Sequence, residues 1–325
     1  MKTPRFIVIF ILLLLNQQCF GYGKTCEESQ TLIPMNDLPS SMSSLISSPL
    51  EKYEASKIEL LGTVFFVVAR VNGGLGKDKL SKAICLAWPK WRQIFSNKIE
   101  KIALIDSNEQ YVGGGPVGRY AFNVYLGGAV RVEAAPYLES MLGWTIQPTA
   151  SNYIMKYYEN FEDPMQAYVN DTVTHELGHS FFGWGITQVE LNPEQWFALG
   201  LGLVYDRIVW NQISNQVSPL FSATVNRYLE KFSQVPELDQ HLIKPDTKND
   251  SDFFLVRSQT YDHGKALVYL SELRNRLGIT RFDELVRIYL ARPYSSNINY
   301  DDFLTYLTPK ELELVKSAEA AFEVR

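Results

Sequence analysis

Apolar and polar residues recur with two different periods along this chain, short and strand-like in the first half, helical in the second. "TVFFVVARV" (63–71) and "KIALID" (101–106) read as buried strands, and the apolar spacing of 83–99 between them predicts a helix. "GGGPVG" (113–118) reads as a glycine turn leading into "RYAFNVYLGGAVRVEA" (119–134), which alternates well enough for two paired strands. Its glycines precede a strand rather than a helix, so a phosphate-binding loop is a poor reading. Beyond residue 162 the helical period takes over. Asp163-Pro164 supplies an N-cap and a first-turn proline for a helix predicted to run to Phe182, with Gly183 as its C-terminal cap. Asn192-Pro193 opens a further helix, with Gln195 at the capping-box position. In "RFDELVRIYL" (281–290) Phe282, Leu285, Val286, Tyr289 and Leu290 form one stripe, and "TPKE" (308–311) caps a last helix. The class predicted is α+β, a mixed β-sheet lobe over 51–188 followed by a helical lobe over 189–325.

The chain's start predicts a segment outside this fold. Lys2 and Arg5 precede the apolar run 6–15, too short to span a bilayer, and small residues offer cleavage after Gly21 or Gly23. Residues 1–23 therefore read as a secretory signal peptide. Lipid anchoring at Cys19 is disfavoured because Asn-Gln-Gln precedes that cysteine. Residues 24–50, rich in Ser, Pro and Asn without a period, read as an N-terminal arm or linker. No later segment is apolar for long enough to cross a membrane, so a secreted or periplasmic protein is expected. Cleavage would leave Cys26 and Cys85, which could pair in an oxidising compartment. The share of hydrophobic residues, 46%, is that of a globular chain. A net charge of −5 with no basic stripe argues against nucleic acid as a partner.

The chemistry concentrates in "VTHELGHSFF" (173–182), which holds two of only four histidines. On a helix, positions i and i+4 share a face, so His175 and His179 can aim two imidazoles at one Zn2+ ion. Glu176 projects beside them, placed to act as general base towards a water activated by the metal. The ordinary alternative, a helix with two surface histidines, fits poorly with the apolar flanks in "AYVNDTVTHELGHSFFGW". Asn170-Asp171-Thr172 matches a glycosylation sequon, but its place on this helix makes a glycan improbable.

HELGH, "WFALGLG" (196–202), "YDHGKALVYLSELRNRLG" (261–278) and the stretch 282–304 together resemble the catalytic domain of gluzincin peptidases, of the aminopeptidase N and thermolysin-like type. The resemblance covers residues 165–305. It implies a two-lobed thermolysin-like metallopeptidase with the active-site helix between the lobes, Zn2+ as cofactor and a peptide or protein substrate. It also puts Tyr261 where the family has a tyrosine that steadies the oxyanion. His263 matches no family ligand, and His241 reads as packing or surface.

Two departures stand out. The family's third zinc ligand is a glutamate in a Trp-Leu-Asn-Glu-Gly-like run, and here Leu199 stands at that place. Glu190, Glu194 and, more weakly, Asp206 are the substitutes in reach, or else the site has two histidines alone. The Gly-x-Met-Glu-Asn strand that reads a substrate's amino terminus is missing, and Glu133 in "VRVEAA" is a poor substitute. An endopeptidase or specialised peptidase thus fits better than an aminopeptidase. Two functions stay open: a zinc peptidase working through His175, His179, Glu176 and Tyr261, or a non-catalytic pseudo-peptidase that binds peptide or protein.

Overall fold

The computed structural model describes residues 26, 29–38, 52–71, 75–97, 99–106, 112–118, 121–126, 158–182, 195–219, 222, 225, 264–291 and 300–322. The expected signal peptide lies outside them. Six strands form one mixed sheet in the order β1-β2-β3-β4-β6-β5. They are β1 (Thr31–Ile33), β2 (Tyr53–Leu60), β3 (Thr63–Arg70), β4 (Lys101–Ile105), β5 (Val112–Gly118) and β6 (Ala121–Leu126). β3 and β4 run parallel, joined by α1 (Lys77–Ile94). Being covered on both faces, β3 is an almost unbroken apolar run, which is why it shows so plainly in the sequence.

Three expectations about this half need correction. "GGGPVG" is not a turn but most of β5, paired antiparallel with β6, and the register slips between Pro116 and Gly118. β5 lies at the sheet's edge, where proline and glycine remove least from the ladder. The arm is not wholly irregular, since β1 adds to β2 through Thr31↔Lys57 and Ile33↔Ala55. Cys26 and Cys85 form a disulfide with Cα atoms 5.8 Å apart, tying that arm to α1. Finally, α1 starts at Lys77 because its first turn, Lys-Asp-Lys, is polar and hides from an apolar count. It stops at Ile94, where Phe95 turns extended.

Six more helices follow among the described residues: α2 (Pro164–Gly178), α3 (Gln195–Ser214), α4 (Ala266–Leu277), α5 (Ile279–Leu290), α6 (Tyr300–Leu304) and α7 (Pro309–Ala321). Asp163 caps α2 as expected, its side chain accepting from the Gln166 amide at 2.9 Å. Thr308 and Glu311 complete a capping box on α7. α2 ends four residues earlier than expected. The amides of His179, Ser180 and Phe181 reach back three residues instead of four, to Glu176, Leu177 and Gly178, which tightens the chain into turns. Gly183 and Asn192-Pro193 fall outside the described residues.

One continuous apolar core joins the sheet to the helices, from Phe65 and Val67 through Trp88 and Trp91 to Leu177, Phe182 and Tyr205, and on to Phe282 and Phe303. α1 buttresses α2 at close range. A Cβ on Gly178 would stand 2.8 Å from Trp91, whose indole N–H donates to the Thr174 carbonyl at 3.0 Å. α3 meets α4 as closely, since a Cβ on Gly200 would lie 2.8 Å from that of Ala266.

Candidate metal centre

The last turn of α2 carries His175, Glu176 and, as its C-terminal cap, His179. His179 keeps right-handed helical dihedrals, so the two imidazoles still stand one turn apart, centroids 4.9 Å from each other. Each ring is held by its Nδ1. His175 Nδ1 lies 2.7 Å from the Asp206 carboxylate, and His179 Nδ1 lies 3.2 Å from the Phe182 carbonyl. Both partners accept, so Nδ1 carries the proton and a neutral ring presents its lone pair at Nε2, the atom a metal takes.

Glu176 is 4% exposed, and its Oε2 has no hydrogen-bond partner among the described residues. Burial pushes its carboxyl up to about 7, against the pull of His175. Burial opposes charge on His175 too, but the hydrogen bond and charge of Asp206 prevail and lift it to about 9. Asp206 is itself raised by burial, which its bond to His175 counters. Without metal, His175 therefore also keeps a proton on Nε2 near neutral pH, and a metal must displace it to bind there.

Do these residues fit zinc? Two imidazoles and a carboxylate have ligand atoms all within 4.8 Å of one another. Nitrogen and oxygen donors at this spacing suit Zn2+, and the lone buried oxygen of Glu176 is the kind of group a metal-bound species satisfies. The fit stops short of a third family-type ligand. Leu199 is buried on α3 and cannot coordinate an ion. Asp206, a weaker candidate for that ligand, instead accepts from His175 on the ring edge away from Nε2. Being two turns apart, Leu199 and Asp206 lie on one face of α3. Among the described residues no other His, Cys, Asp or Glu joins the cluster. Glu190, Glu194, Tyr261, Glu133, His241 and His263 lie outside the described residues.

Sequence reasoning missed two parts of this centre. The Phe182 carbonyl carries no sequence signal. The role of Asp206 was legible in principle, because it is the acid embedded in the apolar run "LGLVYDRIVW" (201–210).

A His-Glu-x-x-His run with its glutamate buried, on a helix packed beside a mixed sheet, is consistent with a gluzincin-like family. Residues 129–320 match the Peptidase family M1 domain, and the chain belongs to that family. Among solved structures it is similar to yeast LTA4 hydrolase in complex with bestatin, with a TM-score of 0.51 and 16% identity over 83% of this chain and 39% of that one. An M1 zinc metallopeptidase from Deinococcus radiodurans is also similar, with a TM-score of 0.46 and 9% identity over 84% of this chain and 52% of its own. The chain thus spans roughly two fifths to half the length of these neighbours. No curated protein matches it in sequence.

Proposed function

We propose that this protein is a secreted zinc-dependent peptidase that hydrolyses peptide bonds. The observation that carries the reading is the common presentation of His175 and His179, each braced at Nδ1, beside a buried carboxyl whose Oε2 has no partner among the described residues. His175 and His179 hold the metal. Zinc in that position supplies a Lewis acid for the scissile carbonyl and makes water easier to deprotonate. Glu176 takes that proton and returns it to the leaving amine. Its raised affinity for a proton suits a group that must do both near neutral pH. Tyr261, by the family resemblance, donates to the oxygen on which charge develops. The two-lobed thermolysin-like arrangement, with a cleft between sheet lobe and helical lobe, belongs to the same proposal. The Cys26–Cys85 disulfide supports secretion, since such bonds persist in oxidising compartments.

Elemental analysis of protein isolated without chelators tests this. About one zinc per chain is expected, lost in His175→Ala and in His179→Ala. One observation favours the second reading, a non-catalytic peptide-binding module: the apolar Leu199 on the α3 face that carries Asp206. Wild-type protein that takes up no zinc even at stoichiometric supply would sink the peptidase. Leu199→Glu gaining zinc would then mark a site that lost its third ligand.

A further inference from the structure

His175 and His179 are oriented by different means. Asp206 binds His175 directly, whereas the Nδ1 of His179 meets a backbone carbonyl, and a carbonyl stays where its residue is packed. Phe182 is fully buried. Its ring lies on that of Tyr205, centroids 5.6 Å apart and planes within 4°. The Tyr205 hydroxyl donates to Asp283 Oδ1 at 2.9 Å, and Arg274 grips both carboxylate oxygens of Asp283, at 2.9 and 3.0 Å. Three residues before Tyr205 on the same face of α3, Gly202 is also close, since a Cβ there would stand 3.3 Å from Phe182 Cβ.

We infer that Tyr205, clamped at its tip by Asp283, is a positioning residue for His179, acting through the ring and carbonyl of Phe182. It rests on the reading of His175 and His179 as the metal's ligands. α3 then serves both histidines from adjacent positions, Asp206 for His175 and Tyr205 for His179. The hydroxyl fixes the ring, and the ring fixes the carbonyl, so the two parts are separable by substitution.

Imidazole nitrogen shifts in the full chain, labelled at histidine and measured before zinc is added, read each ring on its own. Tyr205→Leu is expected to displace the His179 signals while those of His175 hold. Asp206→Asn should do the reverse. Tyr205→Phe, which keeps the stacked ring but frees its tip from Asp283, should move the His179 signals the same way by a smaller amount. Zinc affinity, measured by competition with a chelator, should fall about 10-fold in Tyr205→Leu, as expected when an outer partner of a ligand is lost. If Tyr205→Leu does not fold, Gly202→Ala presses on Phe182 instead and should give the same selective change. Signals of both histidines moving together, or neither moving in a folded variant, would overturn the inference. Zinc failing to bind wild type would overturn the metal site alone, because the nitrogen shifts are read without metal.

Discussion

α2 and α5 are embedded in the same core, yet they are buried in opposite ways. α5 hides five apolar residues along one stripe and keeps Glu284 and Arg287 outside. α2 hides eleven of its fifteen residues, Gln166, Asp171, Thr174 and Glu176 among them. For α5, burial is stabilising on every residue. For α2 it is not, since a buried oxygen without a partner costs on the order of 1–3 kcal/mol. Asp171 escapes that cost through Tyr158 at 2.8 Å and Ser218 at 3.0 Å. Glu176 Oε2 has no such partner among the described residues. A carboxyl kept buried at a cost, between two oriented imidazoles, points to chemistry rather than folding.

The largest effect expected is on that carboxyl. Glu176→Gln should lower peptide hydrolysis by roughly 10²–10⁴-fold, the range for a lost general base. Zinc content should stay that of wild type, and stability at pH 8 should be equal or higher, because the amide carries no charge to bury. Turnover and chemical denaturation measured on the same preparation check both parts. A variant as active as wild type would remove Glu176 from the mechanism.

Phe282→Ala makes the opposite case on α5. Its ring is fully buried in the main core, so truncation should cost about 3–5 kcal/mol. Turnover per folded molecule should not change. A loss of activity in protein still folded at the assay temperature would mean that the stripe of α5 does more than pack.

The same contrast explains what the sequence showed. The stripe 282–290, strand β3 and the capping box at Thr308 were legible because local pattern and final burial agree at those residues. β5 was not, because glycine and proline mark turns in most contexts and an edge strand is the exception. The end of α2 was misplaced for a related reason: "HSFF" continues the helical pattern while the backbone tightens into turns. That His175, Glu176 and His179 would cluster was legible from spacing alone. What orients them was not, since a carbonyl at Phe182 and an aspartate thirty-one residues beyond His175 reach the rings only through the packing of α3.

Stability of the zinc-free protein should depend on pH in a direction set by α2. Glu176 is lifted from its ordinary value of 4.5 to about 7, and His175 from 6.5 to about 9. In both cases the folded state holds its proton more tightly than the unfolded chain, so stability falls as pH rises. The Glu176 part amounts to about 3 kcal/mol between pH 4.5 and 7. The part from His175 is present in full below pH 6.5 and is lost as pH rises through 9. Denaturation series from pH 5 to 9 in chelator should therefore show a decline, and saturating zinc should flatten or reverse it, because ligands must be deprotonated to bind. A zinc-free protein that gains stability from pH 5 to 8 would contradict the buried state of Glu176.

The smallest effect is expected at the other end of α2, where function makes no demand. Asp163 is exposed, accepts from the Gln166 amide and pairs with Lys79 at 3.0 Å. Those contacts hold its carboxyl below the ordinary range, first through the amide and then through the lysine. Its contribution is thus present above the unfolded carboxyl's pKa and fades as pH falls through the folded one, opposite in sign to Glu176 at the far end of the same helix. Asp163→Ala should cost about 1 kcal/mol, nearly all of it from the lost cap, since an exposed ion pair adds little. Zinc affinity and turnover should match wild type, because Trp91 holds the helix at Thr174 and Gly178, beyond the reach of fraying in the first turn. A tenfold loss of zinc affinity in Asp163→Ala would show that α2 moves as one rigid unit, its cap as much a part of the metal site as its last turn.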